Sequence, residues 1–346
     1  MDGFYDTNNQ MLGRQSIRLS NPVYIKESAS VVGTKESEGP LGELFDIKLK
    51  DDKNGCETWE EAESSLQKTA VDCVMKKSGI NESEIRYLFA GDLLGQSIAS
   101  TFGLAKLNLP LFGLYGACST CGLSLSLGSM AVSAGYAKNV ICVTSSHFAS
   151  AEKEFRFPLA YGNQRPLCAT WTVTGSGAFL LSGDENGKSK AKITGITTGK
   201  IIDFGVKDSM NMGACMAPAA ADTIYTHFKD FNETPKHYDK IITGDLGEVG
   251  HKALIDLLLQ KGLDISEKHM DCGMEIFDGK KQGTGSGGSG CGCAATVLAS
   301  FILSQLENGV WKKVLFLPTG ALLSKTSFNE GQTIPGIAHA IVLEAV

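Results

Sequence analysis

Cys118 has the clearest capacity for chemistry in this chain. It stands in the stretch Leu111 to Ser146, LFGLYGACSTCGLSLSLGSMAVSAGYAKNVICVTSS. An apolar run leads into Gly116-Ala117-Cys118-Ser119-Thr120. Small and apolar residues follow at helical spacing as far as Tyr136, and Asn139 to Thr144 reads as a short β-branched strand. The stretch predicts strand, sharp turn, buried helix, strand. The turn sets Cys118 at or near a helix N-terminus, where unpaired amides and the dipole favour a thiolate. A thiolate so placed is a nucleophile. The competing reading is a structural cysteine beside a tight turn, because free cysteines are commonly buried and inert.

A second group of reactive types lies in the 152–171 loop. Arg156, Asn163, Gln164 and Arg165 are interleaved there with Phe155, Phe157, Tyr161 and Trp171. Arginine offers a planar fork suited to carboxylates, and aromatic rings suit a flat ligand. The sequence equally allows an interface loop whose arginines pair with local acids such as Glu152 and Glu154. His147 follows the strand after the buried helix, where it either faces a pocket or is a satisfied strand-end histidine. His251 reads as a helix-surface residue. His227, His237, His269 and His339 read as surface or capping residues.

The ten cysteines stand mostly in apolar segments of a 346-residue chain. A chain of that size does not need a disulfide framework, so reduced thiols in a cytoplasm-like compartment are expected. Cys118-x-x-Cys121 and Cys291-x-Cys293 lie among Gly, Ala, Leu and Ser, not in the polar loops a zinc site prefers, so no metal is assigned. Hydrophobic residues make up 42% and charged residues 20%, which fits a sizeable core. The net charge is -6, and the chain has no long basic run, which argues against nucleic acid as a partner. The first twenty residues hold no apolar signal-like region, and no stretch of about twenty uninterrupted apolar residues occurs.

The elements that must hold these residues alternate. Residues 1–20 read as loosely ordered and Val23 to Val32 as a first strand. Thr58 to Ser78 reads as a helix with a Thr58/Glu61 capping box and a Gly79 stop. Strands follow at Ile85 to Ala90 and Thr170 to Ser182. In the second part, strands are expected at Ala191 to Thr198, Asp239 to Thr243, Val314 to Leu317 and Ile337 to Leu343. Helices are expected at Ala219 to Phe231, Val249 to Lys261 and Ala294 to Glu307, with Met210 to Pro218 and Gly283 to Cys293 as loops. The two parts look alike. Arg86 to Gly95 (RYLFAGDLLG) parallels Asp239 to Glu248 (DKIITGDLGE), and the helix after Cys118 parallels the helix after Cys291. The chain therefore reads as an internally duplicated α/β protein, divided into halves 1–185 and 186–346, with mostly parallel sheets.

Duplicated βαβαβ halves with a cysteine at the start of the first half's buried helix resemble the thiolase fold, and ketoacyl-acyl-carrier-protein synthase III in overall shape. More specifically, Val143 to Phe179 (VTSSHFASAEKEFRFPLAYGNQRPLCATWTVTGSGAF), Met210 to Thr223 (MNMGACMAPAAADT) and Gly244-Asp245-Leu246-Gly247 resemble the stage V sporulation protein AD family of endospore-forming bacteria. The resemblance runs from about Val23 to Val346. It implies a thiolase fold of five layers, α-β-α-β-α.

Enzymes of that fold pair the cysteine with His and Asn, or two His, from two loops of the second half. Those partners hold the thiolate and stabilise an oxyanion. Cys118 matches the nucleophile. The place of the synthase's His-Gln-Ala-Asn motif reads Gly244-Asp245-Leu246-Gly247, and Gly283 to Gly292 offers no His or Asn. A carboxylate at Asp245 would raise the Cys118 pKa. The resemblance thus implies a non-enzymatic binder of dipicolinic acid, alone or with calcium. It would lie in the old acyl pocket among Cys118, His147, Arg156, Asn163, Gln164, Arg165 and Asp245. The resemblance further implies a two-fold dimer, with Asn139 to Thr144 as its open-edged strand. It also implies membrane-protein partners of the stage V sporulation A complex, and peripheral association with the spore inner membrane. The alternative is an acyltransferase using Cys118 on a coenzyme A or carrier-protein thioester.

Overall fold

A computed structural model describes residues 10–155 and 164–346. Each half contributes five strands to the core. The first half supplies β1 (Ser16–Val32), β2 (Tyr87–Gly91), β3 (Leu111–Gly113), β4 (Asn139–Ser146) and β5 (Gly175–Ser182). The second supplies β6 (Ala191–Thr197), β7 (Lys240–Thr243), β8 (His269–Asp271), β9 (Lys313–Leu317) and β10 (Ala340–Glu344). The strands run β8-β7-β9-β10-β6-β1-β5-β4-β2-β3. Counted outward from the central β6–β1 pair, both halves use their own strands in the order first, fifth, fourth, second, third. Pairing sense repeats too: β2 is parallel to β3 and β4, as β7 is to β8 and β9, while β5 and β10 run antiparallel to both neighbours. The duplication read from the Gly-Asp-Leu repeats is therefore a duplication of topology.

The helices complete five layers. On the outer face of the first half lies α1 (Trp59–Ser78), whose Leu66, Ala70, Val71 and Val74 pack on Leu88, Ile141 and Leu180. Its Thr58/Glu61 capping box and left-handed Gly79 stop are both present, and such caps typically contribute about 1 kcal/mol. Next to it comes α2 (Ile98–Leu104). The central layer holds α3 (Thr120–Ser133). Past α4 (Phe148–Phe155), the outer face of the second half is formed by α5 (Met212–Phe231) and α6 (Gly247–Leu259). The central layer is completed by α7 (Cys291–Val297), which continues through one π turn to Glu307. Cys121, Leu125 and Val132 of α3 and Ala294, Val297 and Leu298 of α7 share one core cluster with Phe179, Ile193, Ile242 and Phe316 from strands β5, β6, β7 and β9. A helix buried on both sides is approached closely by other chain segments, and glycines of α3 and α7 allow it: a Cβ on Gly122 would lie 2.7 Å from the His339 carbonyl and one on Gly292 2.4 Å from the Gly175 carbonyl.

Several sequence expectations are corrected. Asn139 to Thr144 is not an open edge: β4 is paired on both sides, by β2 and β5. An apolar β-branched run reads the same for an edge as for a strand covered on both faces. Among the described residues the free edge of the first half is β3, whose Leu111 and Phe112 are 41% and 49% exposed. Residues 16–20 belong to β1, and Met11–Leu12 pairs back on it. Helix α5 begins at Met212 and carries Pro218 inside it, because its Cys215, Met216 and Ala217 are buried and packing overrides the proline. Among the described residues no helix is long and apolar enough to cross a membrane.

Candidate functional site

Cys118 lies in a sharp turn between β3 and α3. Ala117 adopts φ 50, in the left-handed region, which typically costs a residue with a Cβ about 1–3 kcal/mol. Side chains hold the turn. The Thr120 hydroxyl accepts from the Gly116 amide (3.0 Å) and donates to the Ala117 carbonyl (2.6 Å), and the Ser119 hydroxyl donates to the Gly116 carbonyl (2.6 Å). The segment Thr319–Ala321 passes so close that a Cβ on Gly320 would lie 2.4 Å from the Gly116 carbonyl. Cys118 is thereby turned inward and is 5% exposed.

Beneath it stands Asp245, from the turn after β7. Asp271 shapes that turn, accepting from the Leu246 amide (2.9 Å), the Gly247 amide (3.0 Å) and the Thr243 hydroxyl (2.6 Å). The Asp245 carboxylate accepts from the Gly290 amide (2.9 Å), the Thr319 hydroxyl (2.8 Å) and the Cys118 thiol. Burial pushes its pKa up to about 7 against the pull of those donors, and Asp271 adds to the rise.

The thiol responds as a carboxylate neighbour dictates. Burial first, then the charge and hydrogen bond of Asp245, hold the Cys118 pKa well above its ordinary value. The Gly290 amide and Ser289 hydroxyl pull the other way and do not prevail. A dipole effect of about 1 kcal/mol at the start of α3 is smaller than burial plus an adjacent acid, so the thiolate expected there is not favoured. The second half repeats the arrangement. Cys291 opens α7 as Cys118 precedes α3, the two pack in one small cluster, and Cys291 donates to the Ser145 carbonyl at 2.8 Å. Asp92 follows β2 as Asp245 follows β7, accepting from the Leu94 amide (2.9 Å) and from the amide and hydroxyl of Ser100 (2.8 and 2.6 Å).

A cavity opens over Cys118 between the halves. Ala117, Glu152, Phe155 and Thr172 line one side, Met212, Ser289 and Leu323 the other. It offers about 20 Å³ to the centres of water-sized molecules, and about 390 Å³ of empty space when its open mouth is counted.

The remaining expected site residues fall as follows. His147 does not line this cavity. Its Nδ1 accepts from the Ala149 amide (3.1 Å), so Nε2 carries the proton and donates to the Asp52 carbonyl (2.7 Å). Burial lowers its pKa, and its ring lies 5.4 Å from that of Trp59. It is a satisfied strand-end histidine. Arg165 forms a buried ion pair with Glu152 (2.9 Å), donates to the Thr170 carbonyl, and lies over the stacked rings of Phe148 and Trp171. Its fork is thus engaged by the local acid that the competing reading named, and it braces the helix carrying the cavity wall. Gln164 is exposed. Arg156 and Asn163 lie outside the described residues. Among the described residues no three His, Cys, Asp or Glu side chains converge as a metal site.

Sequence reasoning missed Thr319 and Ser289, the hydroxyls that complete the site. It also missed a buried polar network behind Cys291, in which Glu63 accepts from Ser145 (3.0 Å) and Ser150 (2.6 Å), and Gln67 donates to Ser100 and Ser145, both at 2.9 Å. The available signal was the i, i+4 pair of polar residues, Glu63 and Gln67, on the otherwise apolar face of α1.

The family model for stage V sporulation protein AD matches residues 13–344. Stage V sporulation protein AD of Bacillus subtilis (strain 168) is 41% identical over 339 residues, covering 97% of this chain and 98% of the relative. Among solved structures, 3-oxoacyl-[acyl-carrier-protein] synthase III from Aquifex aeolicus VF5 is similar with a TM-score of 0.55 at 13% identity, over 93% of this chain and 99% of that one. Human mitochondrial 3-ketoacyl-CoA thiolase is similar with a TM-score of 0.58 at 12% identity, over 95% of this chain and all of that one. At such identities the two structures speak for the fold alone.

Proposed function

Because the chain belongs to the stage V sporulation protein AD family, we propose that it is a non-catalytic binding protein for dipicolinic acid, taken alone or with calcium, in the machinery that moves that molecule into and out of the spore. The observation that carries the reading is the Cys118–Asp245 contact. Acyl transfer needs a thiolate and donors aimed at a developing oxyanion. Asp245 opposes both, since its charge repels a thiolate and an oxyanion alike. In this reading the cleft between halves 1–185 and 186–346 sets an acid, Asp245, where an acyltransferase would need a base beside Cys118.

In this reading the ligand enters at the mouth above Cys118. The chain works as a homodimer joined through β3 and docks peripherally on membrane subunits of the stage V sporulation A complex at the spore inner membrane. The free β3 edge, with its exposed Leu111 and Phe112, supports the dimer. Incubation with a labelled acyl-CoA, followed by intact mass, tests the function against the acyltransferase alternative. The expected result is no acyl adduct on Cys118, together with calorimetric binding of dipicolinate. An adduct that disappears in Cys118→Ala sinks the proposal.

A further inference from the structure

The turns that follow β1 bring two acids together with no cation against them. We infer that Glu36 and Asp52 hold a hard, calcium-sized divalent cation at the end of β1, in a site separate from the Cys118 cavity, whose walls include neither residue. The inference does not rest on the binding reading above.

Glu36 belongs to the helical turn Thr34–Ser37 and is 1% exposed. Its Oε1 accepts from the Thr174 amide at 3.0 Å, while its Oε2 is enclosed and meets no hydrogen-bond donor. Asp52 comes from the turn after Ile47–Lys48 and is half-buried. Its Oδ1 accepts from the amide (2.8 Å) and the hydroxyl (3.0 Å) of Thr34. Both carboxylates close on Gly33. A Cβ built there would lie 2.6 Å from Asp52 Oδ1, 2.8 Å from Glu36 Oε2 and 2.9 Å from the Thr174 Cβ. Two oxygens so near a common point are within reach of one ion whose bonds run about 2.3–2.6 Å. Glycine is what leaves this approach open. Two acids suffice for a hard cation, because hydroxyl, carbonyl and water oxygens complete its shell. Thr34 and Thr174 bring hydroxyls to the pair, and the half-buried Asp52 gives water access.

Charge points the same way. The neighbouring ammonium groups are turned elsewhere. Lys35 donates to the Gln282 carbonyl (2.8 Å) and lies over the Trp171 ring, 4.4 Å from its centre. Lys53 donates to the Glu57 carbonyl (2.8 Å) and lies over the Trp59 ring, 5.1 Å from its centre. His147 meets the Asp52 carbonyl, not its carboxylate, and burial lowers its pKa. Among the described residues neither Glu36 nor Asp52 has an ion-pair partner. A buried carboxylate stays ionised only when it is paired, fully hydrogen-bonded or bound to a metal. With the site empty, burial first and then Asp52 push Glu36 up to about 8 against the Thr174 amide and Lys35, so it carries a proton at neutral pH. A cation takes the place of that proton, so uptake releases it and tightens as pH rises toward 8. The ion ties the turn that carries Asp52 to the ends of β1 and β5, where Gly33 and Thr174 are already joined by a backbone hydrogen bond (2.8 Å).

Calorimetry with calcium chloride alone, on the full chain free of dipicolinate, tests the site. Two buffers of different ionisation enthalpy count the protons released. The expected result is one calcium per chain, release of close to one proton at pH 6.5, and binding about tenfold tighter at pH 7.5 than at pH 6.5. Glu36→Gln and Asp52→Asn, each close in shape to the parent side chain, are expected to weaken calcium at least tenfold while melting like the parent. Cys118→Ala should leave it within about twofold. A parent that takes up no calcium at millimolar concentration overturns the proposal, and the pair then holds a proton only. Calcium that binds both carboxylate variants as it binds the parent lies elsewhere and overturns it equally. Because no dipicolinate is present, either failure leaves the binding reading above untouched.

Discussion

Asp245 changes what Cys118 can do. A thiolate at that position would stand beside a buried acid, so the thiol stays protonated. Removing the acid's charge while keeping its shape should lower the thiol pKa without opening the site. Alkylation by iodoacetamide near pH 8, read at Cys118 by peptide mass spectrometry, is therefore expected to be slow in the parent and faster in Asp245→Asn. Each unit of lowered pKa gives close to tenfold more thiolate while that form is scarce, so a gain of about tenfold is a reasonable scale. An unchanged rate would mean that burial alone holds the thiol. At this scale the sequence was legible where the chain itself brings the groups together. Gly116-Ala117-Cys118 announces a turn before a buried helix, and Gly244-Asp245 shows a base replaced by an acid. It was not legible where the partner comes from far along the chain. His227 read as a surface residue, yet it is fully buried between Thr197 (2.8 Å) and Tyr238 (2.7 Å). Its neighbours in sequence do not reveal either partner.

Elements were legible in proportion to how locally they are determined. The α1 helix carries its own start and stop, so its limits follow from Thr58, Glu61 and Gly79. The start of α5 is set by packing, and most of the Met210 to Pro218 stretch read as a loop is helical from Met212. Edge status depends on the whole sheet. The β4 run looked available for pairing and is enclosed, while the three residues of β3 are left at the rim. There Phe112 stacks on Phe89 (4.9 Å) and meets Tyr87 edge-on (5.3 Å), yet remains half exposed. A strand whose outer edge is unpaired among the described residues, and which carries a half-exposed aromatic, is a ready template for a second copy. Phe112→Lys adds an inward charge at that rim. Sedimentation at micromolar protein should show a dimer for the parent and a monomer for the variant. A parent that sediments as a monomer removes the β3 interface.

For the molecule as a whole, two sets of buried groups, acids and histidines, have proton affinities that fix how stability depends on pH. Glu36 is pushed by burial up to about 8, and Asp245 to about 7. Glu63 moves upward for the same reason, with Asp92 beside it. Burial drives His227 and His269 down to about 3 and His339 to about 4. The unfolded chain returns these groups to their ordinary values, near 4 for the acids and 6.5 for the histidines. Above about pH 6.5 the histidines are neutral in both states. The folded chain still holds carboxyl protons that the unfolded chain has released, so stability falls as pH rises through 7 and 8. Below about pH 4 the acids are protonated in both states. The unfolded histidines are then charged while the folded ones resist, so stability falls again as pH drops toward 3. Between these limits the two sets oppose each other and the profile flattens. Each proton of difference tilts the profile by about 1.4 kcal/mol per pH unit. Urea midpoints measured from pH 4 to 9 should therefore be greatest on the acid side of neutrality and decline clearly between pH 6.5 and 8.5. Glu36→Gln should flatten that decline, because it removes the buried carboxyl that accepts from the Thr174 amide and titrates in that window. A midpoint that climbs from pH 6.5 to 8.5 in the parent would show that these carboxyls are ionised in the folded state.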